Sequence, residues 1–267
     1  MSSGEDAMRG YGDSSYGEGF ADVYDDWYAG ISDVPSTVAA LARLADEAGG
    51  GPVLELGVGT GRLAIPLAES GVEVYGVDSS PAMLARMAAK PGGSLVNGEV
   101  GDMVDGLPDG PFAVVFVAYN TFFNLLTHER QQACVHAVAS RLAPGGSFVI
   151  EAFVPDPFHD PSSAVSVRSV AVDRVVLSVI STDRVRQIAE GQYIDITEAG
   201  GVKLRPWSIR WCTVEQLDEL ASEAGLQLTD RWEAFDGSLF EAGSERHVSV
   251  WRPSLPRSPR TRSASSQ

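Results

Sequence analysis

The sequence is short of cysteine, of positive charge and of long apolar runs. Only two cysteines occur, Cys134 and Cys212, in otherwise ordinary helix and strand patterns. They exclude a disulfide framework, and no residues show metal-ligand spacing, so both read as structural thiols and no metal is expected. Lys and Arg number 20 against 36 Asp and Glu, for a formal charge of -16. That balance argues against a nucleic-acid partner, whose phosphates call for a basic surface. No apolar run is long enough to span a bilayer. The first residues, MSSGEDAMRGYGDSSYGEG, are polar and acidic and lack the apolar core of a secretory signal. A cytoplasmic protein with no membrane partner is the expectation. There is no internal repeat.

What remains is 44% hydrophobic and 21% charged, the balance of a globular domain. Residues 1–18 and 253–267 are expected to be flexible, being polar and without apolar period. Residues 19–252 are expected to form the domain. Its first half alternates strand and helix patterns. PVLELG, VEVYGVD, FAVVFVAYN and GSFVIEAF read as buried strands, and RLAIPLAES, SPAMLARMAAK and HERQQACVHAVASRL as the helices between them. Leu41, Leu44, Ala45 and Ala48 mark a helix before the first strand. This alternation predicts an α/β fold, a doubly wound, Rossmann-like and mostly parallel sheet with helices on both faces. From about 156 to 211 the rhythm changes to Val- and Ile-rich alternation, as in GQYIDIT and VKLRPWSIRW, predicting an inserted antiparallel segment that serves as substrate wall, lid or dimer contact. A capped helix, TVEQLDELASEAG, and a closing strand, ERHVSVWR, complete the domain.

The first strand-to-helix turn carries Gly57, Gly59 and Gly61. In an open α/β sheet this turn lies on the ligand side. A dinucleotide fingerprint reads G-x-G-x-x-G, with a pyrophosphate on the helix N-terminus. Here the third glycine comes one residue early and Glu55 stands just ahead of the loop. A carboxylate there repels phosphate and suits a cationic group. Asp78 ends the second strand, where an acid can take both hydroxyls of a ribose. The loop therefore asks for a nucleoside with a positive, phosphate-free tail.

With LELGVGTGR, GVDSSPAML, GDM and LAPGGSFVIE, the chain resembles the class I S-adenosylmethionine-dependent methyltransferases over roughly residues 20 to 252. The resemblance implies S-adenosylmethionine as methyl donor and S-adenosylhomocysteine as product. It implies that Glu55, Arg62 and the backbone of Gly57 and Gly59 hold the methionine tail, that Asp78 and Ser79 lie at the ribose, and that Met83 packs near the adenine. Asp102 would accept from the adenine amino group, Met103 would offer its backbone N–H, and Tyr119 and Asn120 would line the methionine side. The stretch FADVYDDWYAG resembles the lid helix of small-molecule members, which makes Tyr16 and Tyr28 candidates for the cofactor and Tyr24 for the substrate.

Methyl transfer needs an acceptor lone pair held in line with the sulfonium, and its main gain is orientation. A phenol or alcohol acceptor also needs a base, and His159, on the ligand side after the fifth strand, is the best histidine for that role. An amine needs only its neutral form. Tyr193, Trp207, Phe122 and Phe123 are expected to line an aromatic acceptor pocket. The PNPPY-like signature of nucleic-acid and protein-glutamine methyltransferases is replaced by AYNTFF, which together with the acidic charge favours a small-molecule acceptor, O or N, such as a natural-product intermediate. Two other readings stay open: a protein of this fold without methyl transfer, as cyclase or binding module, and an NAD(P)-dependent oxidoreductase. The glycine spacing, Glu55 and the lack of a Tyr-x-x-x-Lys pair count against the second. A homodimer is compatible with the sequence.

Overall fold

The computed structural model describes residues 8–156 and 162–254. Two short helices, α1 (Ser15–Phe20) and α2 (Tyr24–Trp27), precede α3 (Val34–Glu47). The alternating half follows as β1 (Val53–Leu56), α4 (Ala64–Glu69), β2 (Val74–Asp78), α5 (Pro81–Ala89), β3 (Val96–Val100), β4 (Phe112–Val117), α6 (His128–Ala139) and β5 (Leu142–Phe153). Four long strands come next, β6 (Ser163–Val170), β7 (Arg174–Asp183), β8 (Ile188–Thr197) and β9 (Val202–Arg210). Helix α7 (Val214–Glu223), β10 (Leu226–Trp232) and β11 (Arg246–Pro253) close the chain.

The main sheet has the order β10-β11-β5-β4-β1-β2-β3. β1 to β5 run parallel, and β11 is antiparallel to both β5 and β10. Every residue of β1 and β4 is buried, because helices cover both faces of these central strands. α6 and α7 pack on one face with Phe148 and Trp251, while α3 and α4 pack on the other with Val114 and Phe116. Strand order reverses between β1 and β4, so a crevice opens at their carboxyl ends.

β6 to β9 form a separate four-stranded antiparallel sheet, the inserted β segment. It stands over that crevice. α1 and α2 fill the gap between the two sheets with a third apolar cluster of Phe20, Ala21, Val23, Tyr28 and Met83. Residues 15–18, expected within a flexible end, are thus helical, ordered by burying Phe20 and Gly17 rather than by any apolar period of their own. Two strands without a signal in the sequence, β3 and β10, are the outermost of the main sheet. Their exposed positions carry Asn97, Glu99, Gln227 and Thr229, which blur the apolar pattern.

Candidate active site

The glycine loop is built by backbone geometry that a side chain resists. Gly57, Gly59 and Gly61 all have positive φ, +71°, +56° and +76°. A Cβ on Gly57 would meet Thr121 Cγ2 at 2.3 Å, and one on Gly61 would meet Met87 Cγ at 2.7 Å. The loop is tied to β2, with Gly57 N donating to Val77 O at 2.8 Å and Gly59 N to Asp78 Oδ2 at 2.8 Å. The other oxygen of Asp78 accepts from Ser80 N at 2.8 Å. Burial raises the Asp78 pKa, partly offset by these two backbone donors.

A cavity of about 660 Å³ opens over this loop. Its lining brings together the predicted Tyr16, Gly57, Gly59, Asp78, Ser79, Met83, Asp102 and Met103, and also Tyr24. Gly101 of the GDM motif lines it as well, with Asp13, Gly17, Thr121, Asn124 and Leu125, which were not among the predicted site residues. Asp102 is held rigidly: its Oδ1 accepts from Val104 N at 2.8 Å, Asp105 N at 3.2 Å and Arg130 Nη2 at 2.5 Å. Ser79 is turned outward, donating to Asp13 O at 2.9 Å.

A second cavity of about 700 Å³ adjoins the first, sharing Tyr16, Tyr24, Thr121 and Asn124 with it. It is walled by Tyr28 from the lid, by Tyr119 and Asn120 from the core side and by Tyr193, Trp207 and Ile209 from the inserted sheet, with Phe153 beside them. Tyr119 and Asn120 adopt positive φ, 48° and 65°, a conformation that costs a non-glycine residue free energy and marks a held turn. Glu151 holds it, accepting from Tyr119 N through Oε2 at 3.0 Å and from Asn120 N through its backbone O at 3.0 Å.

Glu55 is buried and Arg62 half-buried behind the glycine loop. Burial pushes the Glu55 carboxyl up to about 8, with Arg62 acting in the opposite sense. One Glu55 oxygen takes the Ala64 N–H, while Oε2 has no hydrogen-bond partner. Arg62 Nε and Nη1 are likewise buried without partners, and its guanidinium lies 5.9 Å from the Tyr119 ring centroid. An orphan carboxyl oxygen beside orphan guanidinium N–H groups fits the ammonium and carboxylate of an amino acid, since buried polar groups call for partners.

One expectation changes. Phe122 and Phe123 do not line the acceptor cavity: a 3-10 turn over Thr121–Asn124 points both into the core, where each is fully buried. His159 falls outside the described residues. Of the other histidines, His128 and His136 are exposed on α6, and His247 is buried in β11 on Ser249 Oγ at 2.8 Å, its pKa pushed down to about 3 by burial. The cavity hydroxyls are no better as bases. Burial raises the pKa of Tyr16, Tyr24 and Tyr119, and takes Tyr28 to about 12. Cys134 and Cys212 are free and buried, and no metal-binding cluster occurs among the described residues.

The chain is similar to known proteins. A family model described as a methyltransferase domain matches residues 53–146. The cypemycin N-terminal methyltransferase of a Streptomyces species is 30% identical over 208 residues, covering 75% of this chain and 82% of that protein. The chain belongs to the S-adenosylmethionine-dependent methyltransferases. Among solved structures, the CcbJ methyltransferase from Streptomyces caelestis is 38% identical, with a TM-score of 0.83 over 92% of this chain and 100% of that one. The fold is shared with CalS10 from Micromonospora echinaspora, an S-adenosylmethionine-bound amino pentose methyltransferase of calicheamicin biosynthesis, at 24% identity, a TM-score of 0.64, and 85% and 96% coverage. The methyl donor of this methyltransferase is S-adenosylmethionine and its product S-adenosylhomocysteine.

Proposed function

We propose that the methyltransferase moves the methyl group of S-adenosylmethionine to an amine nitrogen of a small natural-product intermediate, in the cytoplasm and without nucleic-acid or membrane partners. In this reading the first cavity takes the adenosyl group. Asp78 accepts from the ribose hydroxyls beside Ser79, Met83 packs on the adenine, and Asp102 and the Met103 N–H meet its edge. Glu55, Arg62 and the Gly57 backbone hold the amino-acid tail. Gly59 contributes through the loop's shape, because its N–H is engaged by Asp78.

Bound S-adenosylmethionine supplies an electrophilic methyl group that passes to the acceptor lone pair with the departing electron pair left on sulfur. The protein's part is to orient the acceptor and exclude water. Tyr16, Tyr28, Tyr119, Tyr193 and Trp207 surround the acceptor cavity, and Tyr16 donates to the Tyr28 hydroxyl at 3.3 Å. These ring faces suit an amine that is partly cationic before and after transfer.

The observation that carries nitrogen over oxygen is the lining of the second cavity. It holds no carboxylate, histidine or lysine among the described residues, and burial raises the pKa of Tyr16, Tyr24, Tyr28 and Tyr119, which keeps these four protonated. An alcohol would need a base there, whereas a neutral amine brings its own lone pair. The relative that methylates the N-terminus of cypemycin points the same way. A panel of amine and hydroxyl acceptors, with S-adenosylhomocysteine release followed by mass spectrometry, tests the reading. Methylated amines with His159→Ala within a few-fold of the parent rate support it. Turnover of hydroxyl acceptors alone, abolished by His159→Ala, overturns it in favour of a base-assisted O-transfer. Binding of S-adenosylhomocysteine with no transfer to any acceptor would favour a repurposed member.

A further inference from the structure

The chain is strongly acidic, yet the face of the inserted sheet toward the lid gathers positive charge. Side chains alternate across each strand, so Ser178, Tyr193 and Arg205 form one rung of that face and Val176, Asp195 and Lys203 the next. Its arginines crowd the Trp27 ring of α2, with the Cζ atoms of Arg168, Arg174 and Arg205 at 4.6, 5.7 and 5.3 Å from the centroid. Asp195 pairs with Arg174 and Arg205, and Asp22 with Arg205 and Lys203. Asp173 adds a charge near Arg174 at longer range. Arg168 pairs with no carboxylate among the described residues. Its side-chain hydrogen bond there runs from Nη2 to Trp27 O at 3.3 Å.

The fold nevertheless holds this guanidinium in place. The register of β6 on β7 slips between Val167 and Ser169, which makes Arg168 the extra residue of a bulge, a device that re-aims a side chain. Three ring faces receive it: Trp27, then Tyr193 at 4.8 Å and Tyr28 at 5.3 Å. Tyr28 and Tyr193 wall the acceptor cavity, so the guanidinium stands at its rim, and Arg168 is exposed there. Its charge reaches the cavity hydroxyls as well. Burial raises those of Tyr28 and Tyr119, and Arg168 is among the groups that pull them back. A guanidinium stacked on rings, with most of its N–H groups lacking a protein acceptor, presents a ready fork to a planar anion.

We propose that Arg168 binds a carboxylate of the methyl acceptor, so that the substrate class is amines that also carry a carboxylate. This rests on the acceptor occupying the second cavity as a nitrogen nucleophile. The site is complementary to such a zwitterion. The aromatic lining takes the amine, which meets no acid there, and the rim takes the carboxylate. A single guanidinium offers one planar two-point contact and one charge, a better match to a carboxylate than to a phosphate dianion. The net charge of -16 repels anions, but salt screens it beyond about 8 Å, so the local cation governs the mouth. The ring stack fixes the fork in advance, which lowers the side-chain ordering cost of binding.

Calorimetric titration of the full chain loaded with S-adenosylhomocysteine tests this, with p-aminomethylbenzoate and p-aminomethylbenzamide as probes. The two differ only in the group offered to Arg168. The parent is expected to bind the acid about tenfold or more tightly than the amide, the scale of a charge-assisted contact. Raising the ionic strength from about 0.02 to about 0.5 M should shrink that ratio, because an exposed pair is screened. Arg168→Met keeps an apolar stem on the rings and should bring the ratio to about one. Its affinity for S-adenosylhomocysteine should stay that of the parent, which shows that it is folded. Equal affinities in the parent, or a ratio that survives Arg168→Met, overturns the proposal. So does tighter binding of p-aminomethylphenylphosphonate than of the carboxylate. No methyl is transferred in this measurement, so the carboxylate contact is judged apart from the nitrogen reading, which turnover of hydroxyl acceptors alone would overturn.

Discussion

At the scale of single residues, Glu55 bears opposite burdens in the free and bound protein. Its carboxyl is fully enclosed, with one oxygen on the Ala64 N–H and the other unpartnered. Burial lifts its pKa from 4.5 to about 8, so the folded chain holds a proton that the unfolded chain releases. By linkage the free protein keeps its full stability contribution below about pH 4.5, loses it progressively as pH rises toward 8, and has lost it above. Glu55→Gln removes this dependence. The variant is expected to melt several degrees above the parent at pH 8 and close to it at pH 5, as differential scanning calorimetry would show. The same change should weaken S-adenosylhomocysteine binding at least tenfold, because a neutral amide cannot match an ammonium; equal affinity would remove Glu55 from the amino-acid tail. Asp78→Ala is expected to cost roughly 1–3 kcal/mol of that affinity in calorimetric titration, the range for leaving a buried partner unmet. Both acids were legible in the sequence, since a carboxylate at the end of an apolar strand has little structural reason to be there. The enclosure that lifts the Glu55 pKa was not legible, because it depends on residues packed from elsewhere in the fold.

Among the elements, the lid is the one that depends most on a single small residue. α1 approaches α5 so closely that a Cβ on Gly17 would sit 2.3 Å from Ser80 Cβ and 3.3 Å from Met83 Cγ. Glu18 completes the contact, accepting from Ser80 Oγ at 2.8 Å and Ala82 N at 3.3 Å. α2 is fastened to the glycine loop through Asp25, whose Oδ1 accepts from Thr60 Oγ1 at 2.6 Å and Lys90 Nζ at 2.7 Å. Gly17→Ala favours the helix intrinsically yet forces the lid away from Ser80. The expected result in stopped-flow binding is S-adenosylhomocysteine release at least tenfold faster, with the melting temperature of the free protein little changed; an unaltered release rate would mean that α1 does not close on the ligand. The central strands and α3, α6 and α7 were readable because each carries an apolar run or stripe. The lid was marked only by the resemblance of FADVYDDWYAG, which contains α2, and α1 fell within the end expected to be flexible, because helices of six and four residues are ordered by tertiary contact. The same limit explains Phe122 and Phe123: their place beside Tyr119 suggested a pocket wall, but the turn buries both, with Phe123 packed on Phe153 at 5.2 Å.

On the scale of the whole molecule, the two sheets are joined directly, as where Gln131 Nε2 of α6 donates to Arg210 O of β9 at 2.8 Å, and also by a set of fasteners that passes through the lid. Arg205 of β9, fully enclosed, donates to Gly19 O and Asp22 Oδ1 at 2.5 Å each and lies 3.3 Å from Asp195 Oδ2. Arg174 closes the cluster on Asp195. These charges hold the Asp22 carboxyl far below its usual range, so the fastener persists throughout neutral pH. The inward-facing polar rungs of the inserted sheet are therefore explained by the lid they grip, a pairing that alternation alone could not reveal. If the cofactor sits beneath α1 and α2, its binding must stiffen both sheets through them. A ligand at 100 times its Kd adds about 2.7 kcal/mol to the stability of whatever unfolds as one unit with its site. In hydrogen exchange, saturating S-adenosylhomocysteine should slow residues 53–61 and 76–83, then 15–28 in the lid, and then 188–210 in β8 and β9, although those strands lie outside the adenosyl cavity. Arg205→Met should cut that chain at its last link, leaving protection of the glycine loop intact and removing it from β8 and β9. Protection that stops at the loop in the parent protein would mean that the inserted sheet senses the acceptor alone.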